Sequence, residues 1–195
     1  MNKENILFVF ALEQEVPNIK LDNMLFTGIG KVNAAHKLTK YLCENPHIEL
    51  VVNYGTAGRI EDVKRGELIA VNRFIQGDYI CDLPGHEGEA ITFMQWLPWS
   101  IRTCATHDRF IEGGLEYLQL RWSHKVNCVD MEAYALAQVC SQMGKNFHCY
   151  KYISDDACED ASEDWSANVS NGEVLFTQIL LNIYNMNSTP YSQKL

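Results

Sequence analysis

No stretch of this 195-residue chain approaches the roughly 20 consecutive apolar residues of a membrane span. None of its six histidines falls in an HExxH pattern, and the adjacent His107 and Asp108 are the nearest approach to a ligand pair, so no metal is expected. The seven cysteines (43, 81, 104, 128, 140, 149 and 158) are odd in number and contain no CxxC pair. That suggests neither a disulfide framework nor a zinc knuckle, and buried free thiols are the preferred account. Basic residues are also scarce: 16 Lys and Arg against 25 Asp and Glu give a net charge of −9, with pI near 5.1. They are scattered, so there is no electrostatic footprint for nucleic acid or an anionic membrane. The opening residues carry no long apolar run of the signal-peptide kind, and a cytoplasmic location is the expectation. Internal repeats and low-complexity tracts are missing.

What is present suits one compact unit spanning 1–195, since 47% of the residues are hydrophobic. Residues 5–12 form an apolar run too short for a helix and rich in Ile, Phe and Val, which predicts a buried strand. Residues 24–26 read as a second strand, Gly28-Ile29-Gly30-Lys31 as a tight turn, and 32–42 as a helix with apolar Val32, Ala35, Leu38 and Leu42. The pattern repeats with a strand at 50–54 followed by a small-residue turn, Gly55-Thr56-Ala57-Gly58. One or two strands are expected in 67–81, a loop in 82–100 and a strand at 102–105. A helix is expected at 131–143 stopping at Gly144, a strand at 147–153 and a closing helix at 174–184. Strands alternating with helices predict an α/β sheet, in which ligands collect at the carboxyl ends of strands. Glu15, Thr56, Asp108 and Asp155 all fall near such ends. Any one of them has an ordinary alternative as a solvated loop residue; their joint placement is the informative feature.

Five segments carry a specific likeness in order: Ala11-Leu12-Glu13-Gln14-Glu15-Val16, Thr27-Gly28-Ile29-Gly30-Lys31-Val32, Asn53-Tyr54-Gly55-Thr56-Ala57-Gly58, Val129-Asp130-Met131-Glu132-Ala133 and Ile153-Ser154-Asp155. Together they resemble motifs of the 5′-methylthioadenosine/S-adenosylhomocysteine nucleosidases, a branch of the nucleoside phosphorylase/hydrolase superfamily. The resemblance implies a single-domain three-layer sandwich, a central mixed β-sheet flanked by helices. It also implies hydrolysis of the N-glycosidic bond of a purine nucleoside, with no cofactor.

By resemblance Asp155 is the general acid at purine N7, and Glu15 orients and deprotonates the attacking water. Partial burial would raise the Asp155 pKa and keep its proton available. Its alternative is a helix N-cap. Glu132 would accept hydrogen bonds from the ribose hydroxyls, with Met131 packed on the sugar; the pair would otherwise simply open an amphipathic helix. Thr56 falls near the ribose. Phe110 matches a base-stacking position, with the backbone at Ile111 reading the purine edge, although a core phenylalanine is the competing account. Ser154 joins the substrate-binding set, and Trp165 matches an aromatic lid.

The chain departs from the family pattern at Lys151, where an arginine is usual, at Asp156 and at Arg59, and it is short between Glu15 and Thr27 and between Gly58 and Asp130. Arg59 would either meet a charged 5′-group or lie on the surface. Adenine is the expected base, with a 5′-group such as methylthio. Two alternatives stand beside hydrolysis: a phosphate-dependent phosphorylase, and a catalytically silent nucleoside-binding protein. A homodimer or higher homo-oligomer is also implied, with the apolar loop holding Phe93, Trp96, Leu97, Pro98 and Trp99 as the candidate interface, or else as core.

Overall fold

A computed structural model describes residues 2–81, 90–93, 101–113 and 125–186, with side chains to residue 183. Strands β1 (Ile6–Phe10), β2 (Met24–Phe26), β3 (Leu50–Arg59), β4 (Leu68–Val71), β5 (Arg73–Gln76), β6 (Ile91–Thr92), β7 (Thr103–Thr106), β8 (Cys128–Asp130) and β9 (Asn146–Asp155) join in one mixed sheet. The helices are α1 (Lys31–Glu44), α2 (Ala133–Gln142), α3 (Ala161–Asn168) and α4 (Glu173–Met186).

Alternation along β1 builds the layers. Leu7 and Val9 face a core completed by α1 and α2, through Ala34, Leu38, Leu42, Leu136 and Cys140. Ile6, Phe8 and Phe10 face the opposite core, closed by Phe176, Leu180 and Ile183 of α4. A strand buried on both faces has no polar side, which is why 6–10 reads as a continuous apolar run. The result is the expected sandwich of helix, sheet and helix.

The sheet divides at β3. Its first four residues run parallel between β1 and β9, and the parallel register with β9 continues unbroken from Leu50↔Asn146 to Ala57↔Ile153. A register shift then follows, and Gly58 and Arg59 pair antiparallel with β8, which leads on to β7 and β5. The ends of β1, β3, β8 and β9 therefore converge where the sheet splits, and a cavity opens there.

The small-residue segment at 55–58 lies inside β3, where a turn was expected. Its glycines answer to neighbours. A Cβ on Gly55 would lie 3.1 Å from both Glu15 Oε1 and Lys151 Nζ, and one on Gly58 would lie 2.8 Å from Asp155 Oδ1. β8 was not anticipated, being only three residues long, and neither was α3. Phe93 of the proposed interface packs partly buried in the core, its ring 5.5 Å from Phe147 and 6.4 Å from Phe74. Its apolar ring is better satisfied there than at a contact surface, while Trp96, Leu97, Pro98 and Trp99 lie outside the described residues. No helix among the described residues is long and apolar enough to cross a membrane.

Candidate active site

The cavity holds about 400 Å³, within the roughly 300–1,000 Å³ of small-ligand pockets. Glu15, Thr56, Phe110, Ile111, Met131, Glu132, Asp155 and Trp165 all line it. Of the nine residues singled out from sequence, only Ser154 has no face in it. Ser154 is fully buried behind Asp155, and its hydroxyl donates to Asp155 Oδ2 at 2.8 Å. It buttresses the Asp155 carboxyl group and does not reach the cavity.

Glu15 sits in a single 3-10 turn after β1, and the chain folds back so that its carboxylate meets its own backbone. Oε2 accepts from the N–H groups of Ala11 and Leu12, each at 3.0 Å. Oε1 accepts from Thr56 N at 3.0 Å and from the Thr56 hydroxyl at 3.4 Å. Burial pushes the Glu15 pKa up, while the Leu12 N–H, Lys151 and the other two backbone donors oppose it. A carboxylate this enclosed remains a stronger base than one in water.

Glu132 precedes α2, and its Oε1 accepts from Gly30 N at 2.9 Å, at the start of α1. Burial and then the neighbouring Asp130 charge push its pKa up to about 8. Asp155 is the last residue of β9 and does not cap α3, which begins after Asp160. Its Oδ1 accepts from Ala157 N at 2.9 Å, a contact made as the chain turns through Ala157 at φ 48°. A left-handed residue other than glycine costs about 1–2 kcal/mol, so this turn stores strain beside the proposed acid. Burial raises the Asp155 pKa, the Ser154 and Ala157 donors lower it, and the Asp156 and Asp164 charges add to the rise.

Asp156 points away from Asp155, pairing with Arg59 Nε at 2.6 Å. Arg59 is thereby engaged at the surface and does not line the cavity. His107 and Asp108 also separate. The His107 ring nitrogen Nδ1 lies 3.3 Å from Ala105 O, whereas Asp108 Oδ1 accepts from Lys31 N at 2.8 Å.

Sequence reasoning gave no role to Asp130, nor to Arg109, Glu112, Ser162 and Ser166, which also line the cavity. Asp130 Oδ2 lies 2.8 Å from Lys151 Nζ, both side chains being 1% exposed. Its carboxylate also accepts from Thr106 Oγ1 at 2.6 Å and Ala133 N at 2.8 Å. Burial favours the neutral amine, yet Asp130 and then Cys149 and Glu132 hold the Lys151 pKa well above its ordinary value. A signal for this pair existed: a lysine amid Cys149-Tyr150-Lys151-Tyr152-Ile153 on a buried strand requires a buried anion.

Carboxylates at the ends of several strands, around a partly apolar cavity in a helix-flanked sheet, define a protein built to work on a small organic ligand. The sequence pattern of the phosphorylase superfamily matches residues 23–184, and the chain belongs to that superfamily. A 5′-methylthioadenosine/S-adenosylhomocysteine nucleosidase of Thermotoga maritima is 27% identical over 165 residues, covering 80% of this chain and 75% of the relative. A Helicobacter pylori methylthioadenosine nucleosidase variant, solved with 5′-methylthioadenosine in its active site, superposes with a TM-score of 0.78 at 18% identity, covering 93% of this chain and 98% of its own. A futalosine hydrolase mutant from the same organism has a TM-score of 0.79 at 18% identity, over 93% and 98% of the two chains. These two likenesses concern the fold.

Proposed function

We propose that the chain hydrolyses the N-glycosidic bond of an adenine nucleoside with a small 5′-substituent. The observation that carries this reading is the meeting of Glu15, Glu132 and Asp155 in one cavity flanked by Phe110 and Trp165. Their rings make a T-shaped pair with centroids 6.5 Å apart. Aromatic groups of this kind suit a purine face. Asp155 transfers its proton to purine N7 as the C1′–N9 bond breaks and its electrons pass to the base. Glu132 holds the sugar hydroxyls and favours the positive charge developing on the ribosyl ring. Water attacks C1′ and gives its proton to Glu15, so that one water is divided across the bond.

Water is favoured over phosphate by the state of the backbone donors. A phosphate site needs free N–H groups or arginines. Here the N–H groups of Ala11, Leu12 and Thr56 are taken by Glu15, and that of Gly30 by Glu132. An incoming anion would meet two carboxylates where a phosphorylase offers a cradle. Incubation with methylthioadenosine, adenosylhomocysteine, adenosine, inosine and AMP, with free base followed by chromatography, identifies the 5′-group. Release from a 5′-modified adenosine is expected, and no base from any member would sink the reading.

Binding should also move a proton. Two ribose hydroxyls donating to Glu132 favour its carboxylate form, so its pKa falls from about 8 on binding and a proton leaves to solvent near neutral pH. Calorimetry with an uncleavable C-nucleoside, in buffers of different ionisation heat, should show up to about one proton released near pH 7. Glu132→Gln should abolish that release. Buffer-independent heats in the parent protein would contradict this assignment.

We further propose that the working form is a homodimer. Lys31 forms ion pairs with Asp78 and Asp108, and Asp108 N donates to Asp78 Oδ2. These contacts tie three segments together at the cavity mouth, and they bring exposed Ile29, Val32, Tyr79, Ile80 and Phe110 into one neighbourhood. An apolar patch beside a cavity suits a second copy. Val32, 77% exposed and outside the cavity lining, tests it. Val32→Glu should yield monomer in light scattering and lower kcat/KM about tenfold or more as the mouth opens to water. A parent protein that is already monomeric, or a variant that remains dimeric, would remove the patch from consideration.

A further inference from the structure

Trp165 Nε1 donates to Thr56 Oγ1 at 2.9 Å, and Thr56 Oγ1 lies 3.4 Å from Glu15 Oε1. A hydroxyl has one proton to give. With the indole N–H directed at its oxygen, the Thr56 proton is turned toward Glu15. We propose that Trp165 is a positioning residue whose indole N–H couples the seating of α3 over the cavity to the orientation of the Thr56 hydroxyl on Glu15. This rests on the reading of Glu15 as the base and adds a link between cover and base.

α3 is suited to such a device. Of its eight residues only Ala161 is buried, and the helix is held by polar contacts. Arg65 grips Asp164 through two nitrogens at 2.5 and 2.6 Å, and Asn168 Nδ2 donates to Ser154 O at 3.3 Å. The Trp165 contact is the one that enters the catalytic cluster. A phenylalanine would cover the cavity equally well, but only an indole can donate. Successive donors also polarise one another, so the indole strengthens the hydroxyl's pull on the carboxylate. Glu15 has three backbone N–H partners already, and the hydroxyl is its longest contact. That is the partner most open to adjustment by a group behind it. Besides these donors, the charged or titratable groups around Glu15 are Lys151 on β9, Glu132 before α2 and Tyr54 on β3.

The test compares Trp165→Phe, Thr56→Val and the double variant with the parent. Trp165→Phe should lower kcat about tenfold with KM changed less than about threefold. It should also shift the acidic limb of kcat to higher pH, because Glu15 loses a partner of its ionised form. Thr56→Val should shift the limb in the same direction, and the double variant should lose no more than the worse single one. An unshifted limb with parental kcat in Trp165→Phe, or losses that multiply, would overturn the proposal. A second readout needs no turnover. The indole N–H resonance missing from Trp165→Phe spectra should exchange slowly in the parent and in Thr56→Ser, and faster in Thr56→Val. Equal exchange in the parent and Thr56→Val overturns the contact itself. A parent that cleaves nothing would instead refute the hydrolase reading, leaving exchange to decide the hydrogen bond.

Discussion

Asp155→Asn should bind nucleoside and release base roughly 10²–10⁴-fold more slowly, the range that a positioned general acid contributes. The substitution preserves shape. An asparagine oxygen still accepts from Ala157 N–H, and its amide still meets the Ser154 hydroxyl, so the turn after β9 keeps its contacts. What disappears is the ionisable group, whose pKa burial raises. The loss should fall on kcat with KM little changed, and it should shrink for a riboside whose leaving group departs without protonation. A uniform loss across leaving groups would point to misfolding of the turn, and unchanged turnover would remove Asp155 from the chemistry. Gly58 leaves room for this carboxyl group, since a Cβ there would lie 2.8 Å from Asp155 Oδ1 and force one of them to shift.

Glu15→Ala should be comparably damaging, again by about 10²–10⁴-fold, with a distinctive reversal. Removing the carboxylate leaves the N–H groups of Ala11, Leu12 and Thr56 facing an empty space that Glu15 had filled. Unsatisfied donors converging on one point make an anion site. Added formate should occupy it and restore part of the rate, and it should do nothing for Asp155→Asn. Turnover of Glu15→Ala within about threefold of the parent would show that the water is activated elsewhere.

Most of the scaffold is legible where burial controls residue choice. Residues 6–10, and 147–153 apart from His148 and Lys151, are apolar because both faces of the sheet are covered. The 32–42 segment shows a helical stripe because one face of α1 meets the core through Ala34, Leu38 and Leu42, although Val32, read as part of that stripe, is exposed. Legibility fails where contacts replace periodicity. α3 has no apolar stripe to betray it: Ala-Ser-Glu-Asp-Trp-Ser-Ala-Asn is held by Arg65, Thr56 and Ser154 from other parts of the chain. β8 has three residues, too few for a pattern. Gly55 and Gly58 suggested a turn because small residues usually signal one, whereas here they clear space for Glu15, Lys151 and Asp155.

The candidate site divides in the same way. Motif order carried Glu15, Met131, Glu132 and Asp155 to one cavity, and position relative to those motifs carried Phe110 and Trp165. Ser154 was misplaced because it falls at the register shift near the end of β9, where it is fully buried behind Asp155 and only Asp155 reaches the cavity. Arg109 and Glu112 gave no signal, since charged residues in a loop are ordinary. The Lys151–Asp130 pair was readable in principle from a lysine on a buried strand, but its partner is 21 positions away and only the fold identifies it.

In the proposed reaction water attacks the sugar because carboxylates fill the donors a phosphate would need. The measurement closest to it is base release from methylthioadenosine in phosphate-free buffer, repeated with added phosphate, with the sugar product identified. The predicted result is an equal rate in both and a free 5-methylthioribose product. Release that requires phosphate and yields a sugar 1-phosphate would contradict the account at its base.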